Sequence, residues 1–425
     1  MNQAAREPLG ALLWRRWHDP AAWIETSDFF LVLLALSLPW STSLTSIFGA
    51  AFLVTMAPFF DANAFMRSIR RPASIFPVAL FALAAIGTLW SDGPWGSRLY
   101  AVGPTAKLLM VPLLFYHAER SAHGVQVFKA FLVSCIALLA MSWLVAYDLH
   151  LALKTNGDHG VPIKNYIDQS QEFALCAVVL AYPVLAMLRA GRPWPALLLG
   201  AIAVGFVANM AFVVVSRTEL VTMPVMLAVF GLMHLRWRAN VVILAAAVAL
   251  AALAWFASPQ LQRTVNSFGS QYQLYSEQGA STSVGQRLEF WRKSLRFFAD
   301  APLIGHGTGS TERLFQQAAI GQTGAAAEVI RNPHNQTLNV AVQWGALGVV
   351  VLYAMWFSHL MLFRGDGPMA WVGLLVVVQN FLTSLFNSHI FDFSEGWIYV
   401  LGVGIAGGMV LKSRAGETME TAGAS

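Results

Sequence analysis

Residues 194–235 read WPALLLGAIAVGFVANMAFVVVSRTELVTMPVMLAVFGLMHL: two apolar runs, 194–215 and 219–235, parted only by Ser216-Arg217-Thr218. The first run carries no charge over 22 residues. As an α-helix rising about 1.5 Å per residue, that length covers a hydrocarbon core of about 30 Å. A segment in hydrocarbon must satisfy its own backbone hydrogen bonds, so the run is a helix, and a three-residue turn makes its successor antiparallel. The same pattern recurs outward in both directions, at 28–45, 47–60, 75–91, 104–117, 126–147, 172–189, 240–257, 337–362, 369–387 and 396–411. The second and fourth spans are short and must borrow flanking residues. These stretches predict an all-α polytopic membrane protein with about 12 transmembrane helices. Composition agrees: of 425 residues, 57% are hydrophobic and 12% charged, about half the charge of a soluble domain. A soluble enzyme and a disordered scaffold are excluded.

The basic residues give the orientation. With the N-terminus cytoplasmic, fifteen Lys and Arg lie inside, Arg6, Arg15 and Arg16 among them, against Arg98, Lys154, Lys164 and Arg217 in short external loops. The chain then divides into a cytoplasmic segment 1–27, nine spans over 28–257, an external segment 258–336, three spans over 337–412 and a cytoplasmic tail 413–425. The net charge of +5 is ordinary for such a protein and calls for no nucleic acid. Cys135 and Cys176 fall in apolar segments, which predicts neither a disulfide framework nor a zinc site. The N-terminal 28 residues lack the apolar core of a signal peptide.

The external segment holds a helix near 284–299. Ser283-Val-Gly-Gln286 fits a capping box, and Asp300-Ala-Pro302 ends the run. At 100° per residue, Val284, Leu288, Trp291, Leu295 and Phe298 share an apolar arc with Arg287 at its border, while Glu289, Arg292, Lys293 and Arg296 face away. The arc is expected to face the membrane or roof the bundle.

The most specific constellation opens the tenth span: Asn332-Pro333-His334-Asn335-Gln336, then Gly345-Ala-Leu-Gly348. Asn332 suits a helix N-cap and Pro333 the first helical position, which puts His334 in the first turn with both glycines beneath it. A histidine there stays neutral and able to accept a proton; the plainer reading is an interfacial histidine beside a packing face. Arg217, in its tight turn after Ser216, suits phosphate oxygens, or simply snorkels. Arg287, turned toward the bundle, needs an anion, unless Glu289 or Asp168 pairs with it. Arg331 and Arg313 can meet anionic head groups, although surface placement is the default. Lys107 lies inside the fourth span, facing either a phosphate or the interface. Asp392 and Glu395 border the last span and can orient His334, an acceptor hydroxyl or only the helix start. The glycines of Gly305-His-Gly-Thr-Gly309 suit a turn better than a phosphate cradle. No Asp-x-Asp, Walker or HExxH motif occurs, and no cofactor or metal is expected.

Together these features resemble the bacterial O-antigen ligases, within the wider group of O-antigen polymerases and protein O-oligosaccharyltransferases. The likeness rests on the twelve spans, the long external segment, Ser216-Arg217, Arg287-Leu-Glu-Phe-Trp291 followed by Pro302-Leu-Ile-Gly305, and His334-Asn335-x9-Gly345-x-x-Gly348. It covers about residues 28–412. The resemblance implies an inverting, metal-independent glycosyltransferase of lipopolysaccharide biosynthesis in a Gram-negative inner membrane. It would move O-antigen polysaccharide from undecaprenyl diphosphate to lipid A–core on the periplasmic side. The family's essential residues fall on His334 as general base and on Arg217 and Arg287 at the diphosphate. Asn335, Ser216, Arg331, Lys107 and Asp392 are further substrate-binding candidates.

Three rivals remain open at this point. A polymerase would use a similar site with another acceptor. A protein O-oligosaccharyltransferase often carries an added C-terminal domain, and this sequence stops just after the last span. A glycolipid transporter would show inverted repeats and midplane charges, whereas here the charges gather at one interface and no repeat is evident.

Overall fold

The computed structural model describes residues 17–154 and 159–423; Arg6, Arg15 and Arg16 lie outside them. Among the described residues, ten helices are long and apolar enough to cross a membrane: α1 (Pro20–Ser37), α2 (Thr42–Phe59), α3 (Pro72–Leu89), α4 (Trp95–Ala118), α5 (Gly124–Tyr147), α6 (Tyr166–Arg189), α7 (Pro193–Phe212), α9 (Trp237–Ala257), α13 (Gln336–Leu362) and α15 (Phe393–Glu417). Two shorter apolar helices, α8 (Glu219–His234) and α14 (Pro368–Thr383), complete the set. The twelve follow the apolar stretches of the sequence in order. Between α9 and α13 lie α10 (Pro259–Gln278), α11 (Ser283–Asp300) and α12 (Thr311–Ala319). No strand occurs among the described residues, so the protein is an all-α polytopic membrane protein.

Helix α15 is the hub, with 83% of its most apolar stretch buried, whereas α9 buries none of its own. Small residues explain the hub. Side chains at Gly404, Gly407 and Gly408 would run into Leu114, Phe115 and Ala118 of α4, and one at Gly402 into Val376 of α14. In lipid, where apolar contact gives helices no net drive to associate, such close approach supplies the packing energy.

Two expectations about local structure need correction. The first concerns α13, which is not straight: Gly345 adopts φ 61° and ψ −156° and breaks the helix. Residues 302–307 wedge into the break and take up its backbone groups. Ala346 N–H donates to the Pro302 carbonyl at 2.8 Å, and His306 and Gly307 N–H donate to those of Val342 and Gln343 at 2.9 and 2.8 Å. A Cβ on Gly345 would overlap the Leu303 carbonyl, so glycine is required both for its φ and for this approach. The break destroys the helical phase that would set Gly345 and Gly348 beneath His334. Gly348 packs against Trp344 and Val340, four and eight residues earlier in the chain.

The second correction concerns α11, which turns its other face inward. Gly285, Glu289, Phe290, Lys293, Ser294 and Phe297 are buried, while Leu288 and Leu295 are 37% and 56% exposed. The charged members of the buried face find partners there, while Ser294 Oγ has none. Glu289 accepts from Tyr275 Oη at 2.7 Å and pairs with Arg292, and the Lys293 ammonium reaches the Ala326 carbonyl. Periodicity counted Glu289 and Lys293 as solvent-facing because it cannot see such partners. The helix is capped by Thr282, whose hydroxyl accepts from Gly285 N–H at 3.1 Å, one residue earlier than the capping box suggested.

Candidate functional site

The first turn of α13 is also different from expectation. Its N-cap is Asn335, whose Oδ1 accepts from Leu338 N–H at 3.0 Å, so His334 precedes the helix. Asn332, expected to cap, instead folds its side chain over the turn and accepts from His334 N–H at 2.9 Å. This Asx turn competes with helix formation. It holds His334 at φ 52°, the one described non-glycine residue with positive φ. That backbone is costly for a histidine and persists only where neighbours fix it.

The neighbours are the segment 384–392 between α14 and α15. Its Ser384 carbonyl accepts from Gln336 N–H at 2.8 Å, its Leu385 carbonyl from Asn335 Nδ2 at 2.9 Å, and Ile390 N–H donates to Gln336 Oε1 at 3.0 Å. Within it, Asn387 Oδ1 meets His334 Nδ1 at 2.9 Å, and Asn387 Nδ2 donates to Asp392 Oδ2 at 2.8 Å. On the other side the His334 ring stacks on Phe290 of α11, centroids 6.1 Å apart. Burial first, and then the charge of Arg287, hold the imidazole below the ordinary histidine value, against the Asn387 contact. It is therefore unprotonated at neutral pH and has a lone pair free to accept a proton. Beside it, the buried His389 is pushed down to about 3 by burial, Arg287 and His334, and it lies within reach of Gln171 Nε2.

Arg287 is half-buried on α11 and has no carboxylate partner among the described residues. The two acids that would have neutralised it are engaged elsewhere: Glu289 with Arg292, and Asp168 with Ser394 Oγ at 2.7 Å and Asn165 Nδ2 at 2.9 Å. Burial lowers its proton affinity, Tyr166 opposes that, and the charge of Arg217 lowers it further. Arg217 itself is held by one face of α10. It donates to Ser267 Oγ at 2.7 Å and Gln271 Oε1 at 3.2 Å and lies 4.7 Å over the Phe268 ring. His334, Arg287 and Arg217, far apart in the chain, are thus linked electrostatically through Arg287 at one end of the bundle. Two guanidiniums and an imidazole that feel one another's charge make a cationic cluster of the kind that suits an anion.

The other candidates make contacts within the protein. Lys107 donates to the Phe391 carbonyl at 3.3 Å and to that of Asp392, anchoring the 384–392 segment to α4. Asp392 sits behind Asn387, its carboxyl raised by burial to about 7 against the pull of Lys107. Asn335 caps α13 and grips the segment. Ser216 is buried, and its carbonyl accepts the 3.2 Å bond from Leu220 N–H that starts α8. Arg331 is exposed, paired with Glu312 at 2.8 Å and 5.3 Å from the Tyr100 ring. Arg313 donates to the Asp92 carbonyl at 2.5 Å. Thr308 and Gly309 N–H are bonded to the Gly87 carbonyl and Gln343 Oε1, which leaves no cradle in that glycine-rich turn.

Asn387, His389 and Phe290 were missed. The apolar stretch drawn to residue 387 hid the first, because α14 ends at Thr383. The polar run Asn387-Ser-His389 at the close of an apolar span was the available signal.

A polytopic helical membrane protein with a cationic, histidine-bearing end is the class this fold and site define. Residues 205–353 match the O-antigen ligase family, a stretch that carries Arg217, Arg287 and His334. Over that stretch, about a third of its length, the chain is similar to O-antigen ligases. No curated protein matches the chain significantly.

Proposed function

We propose that the protein is an O-antigen ligase of a Gram-negative inner membrane. Both termini are cytoplasmic, and residues 258–336 together with the site are periplasmic. The donor is polysaccharide on undecaprenyl diphosphate, and the acceptor is a sugar hydroxyl of lipid A–core. The carrying observation is the unpaired, half-buried Arg287 between a second guanidinium and a neutral imidazole.

The chemistry follows from those groups. The acceptor oxygen attacks the anomeric carbon from the face opposite the diphosphate and inverts it. The anomeric C–O bond breaks, and its electron pair leaves on the diphosphate. The acceptor proton passes to His334. Negative charge grows on the leaving group, so Arg287 and Arg217 stabilise the transition state more than the bound donor. Each such contact is worth about 3 kcal/mol, and the guanidiniums supply charge that a metal ion would otherwise bring. A neutral imidazole as base contributes about 10²–10⁴-fold.

The test is reconstitution in proteoliposomes with purified lipid-linked donor and lipid A–core. Conjugate formed without added metal is the expected product. Longer donor chains would indicate a polymerase, and movement without a new bond a transporter. His334→Ala is expected to abolish conjugate while retaining donor binding; a variant that still transfers at wild-type rate removes the base.

A further inference from the structure

Which nitrogen of His334 carries its proton decides whether the imidazole can act as a base, and the hydrogen-bond directions around it settle the matter. A backbone N–H can only donate. The end of the Asn332 amide that meets His334 N–H at 2.9 Å is therefore its oxygen, and the same oxygen accepts from Ser388 Oγ at 2.7 Å. The opposite end of Asn332 is then its NH2, which lies 3.3 Å from Asn387 and can only donate to Asn387 Oδ1. From the far side, Asn387 Nδ2 donates to Asp392 Oδ2 at 2.8 Å. Two anchors at opposite ends of the chain of contacts give the Asn387 amide one orientation, and the Asn332 end gives it without reference to the charge of Asp392. The oxygen that faces His334 Nδ1 at 2.9 Å is an acceptor, so Nδ1 must be the donor. Nε2 is left without a protein partner among the described residues and holds the lone pair.

We infer that Asn387 is a positioning residue: its carbonyl holds His334 as the Nδ1–H tautomer, stacked on Phe290, with Nε2 presented to the acceptor hydroxyl. This deepens the assignment of His334 as base and rests on it. An amide suits the task because its neutral carbonyl orients the ring without raising its proton affinity as a carboxylate would. Asp392 and Lys107 stand behind it as supports, and the Asx turn at Asn332 brings His334 N–H to the same network. The charged and titratable groups that face the imidazole are Arg287 from α11 and His389 from the 384–392 segment, with Asp392 one residue removed.

The experiment uses the full-length protein in proteoliposomes with lipid-linked donor and lipid A–core, alongside imidazole ¹⁵N spectra with His334 assigned by difference against His334→Ala. Asn387→Leu keeps the bulk and removes the carbonyl. It is expected to lower kcat about 10–100-fold with donor KM unchanged, and to lose the pure Nδ1–H signal. The swap Asn387→Asp with Asp392→Asn puts the carboxylate against the ring and the amide behind it. That pair is expected to retain kcat within several-fold and to move the acid limb of kcat/KM up by about one pH unit, because a carboxylate stabilises the imidazolium. A wild-type spectrum showing the Nε2–H tautomer overturns the inference, as does an unchanged kcat and acid limb in both variants. If instead His334→Ala still transfers, the base assignment fails, and the tautomer in Asn387→Leu still decides what Asn387 does.

Discussion

The imidazole and the guanidiniums come from two regions built on opposite plans. On the 384–392 segment and the start of α13, most polar side chains are engaged: Asn332, Asn335, Gln336, Asn339, Asn387 and Ser388 bond one another or backbone groups, and only Gln336 Nε2 and Ser384 Oγ are left without a partner among the described residues. On α8, α10 and α11, Arg217 is held by one helix face and Arg287 has no acid partner among the described residues. The first region has its hydrogen bonds made before any substrate arrives, as a base needs for a fixed tautomer and direction. The second keeps like charges close and unneutralised, a cost in the free protein that a diphosphate would relieve.

Removing Arg287 breaks the contrast most severely. Arg287→Ala is expected to weaken binding of undecaprenyl diphosphate in nanodiscs by about 100-fold or more, the loss of a charge-assisted contact of about 3 kcal/mol. Arg217→Ala is expected to lose less, since Ser267 and Gln271 already share its donors. Equal losses would mean that the two arginines are equivalent and that the partnerless one is not the primary contact. A second readout sharpens the point. Arg287 lowers the proton affinity of His334, so Arg287→Ala should move the acid limb of any residual transfer upward, toward the ordinary histidine value.

The frame predicts a defect of another kind. Gly345→Ala must force an alanine to φ 61° and drive its methyl into the Leu303 carbonyl. The strain alone is worth about 1–3 kcal/mol, so the variant should melt at lower temperature in detergent and transfer slowly with normal donor affinity. Gly200→Ala on α7 meets nothing within 4 Å and should melt as wild type. If both melt alike, residues 302–307 do not brace α13.

The same division governs what could be read from the chain. Helix positions were legible because a run such as 194–215 has one stable form in hydrocarbon. Arg217, Arg287 and His334 stood out because a charge or an imidazole in such surroundings needs a reason. The inward face of α11 was not legible, since Glu289 and Lys293 are buried only by virtue of Tyr275, Arg292 and Ala326, which periodicity does not count. Nor was the start of α13. Two asparagines three residues apart are each good caps, and the choice of Asn335 depends on contacts with Ser384 and Leu385, some fifty residues away. Asn387 was hidden for a related reason: it is uncharged and sits at the end of an apolar span, and its importance comes only from what it touches.

The smallest expected effect lies at the border between the two regions. Arg331 stands three residues before His334 and carries the charge that a sequence reading would bring to a phosphate. Its guanidinium is instead turned outward, exposed, bonded to Glu312 at 2.8 and 3.2 Å and set over Tyr100. Exposed pairs of this kind are screened by salt and contribute little, and the bonds to Glu312 must break before Arg331 can serve a ligand. Arg331→Ala should therefore leave donor affinity, transfer rate and melting temperature near wild type, at low and at high ionic strength. A large loss of donor binding would place a third guanidinium at the diphosphate. The line between a region that binds itself and a region held open for the anion would then have to be redrawn to include residue 331.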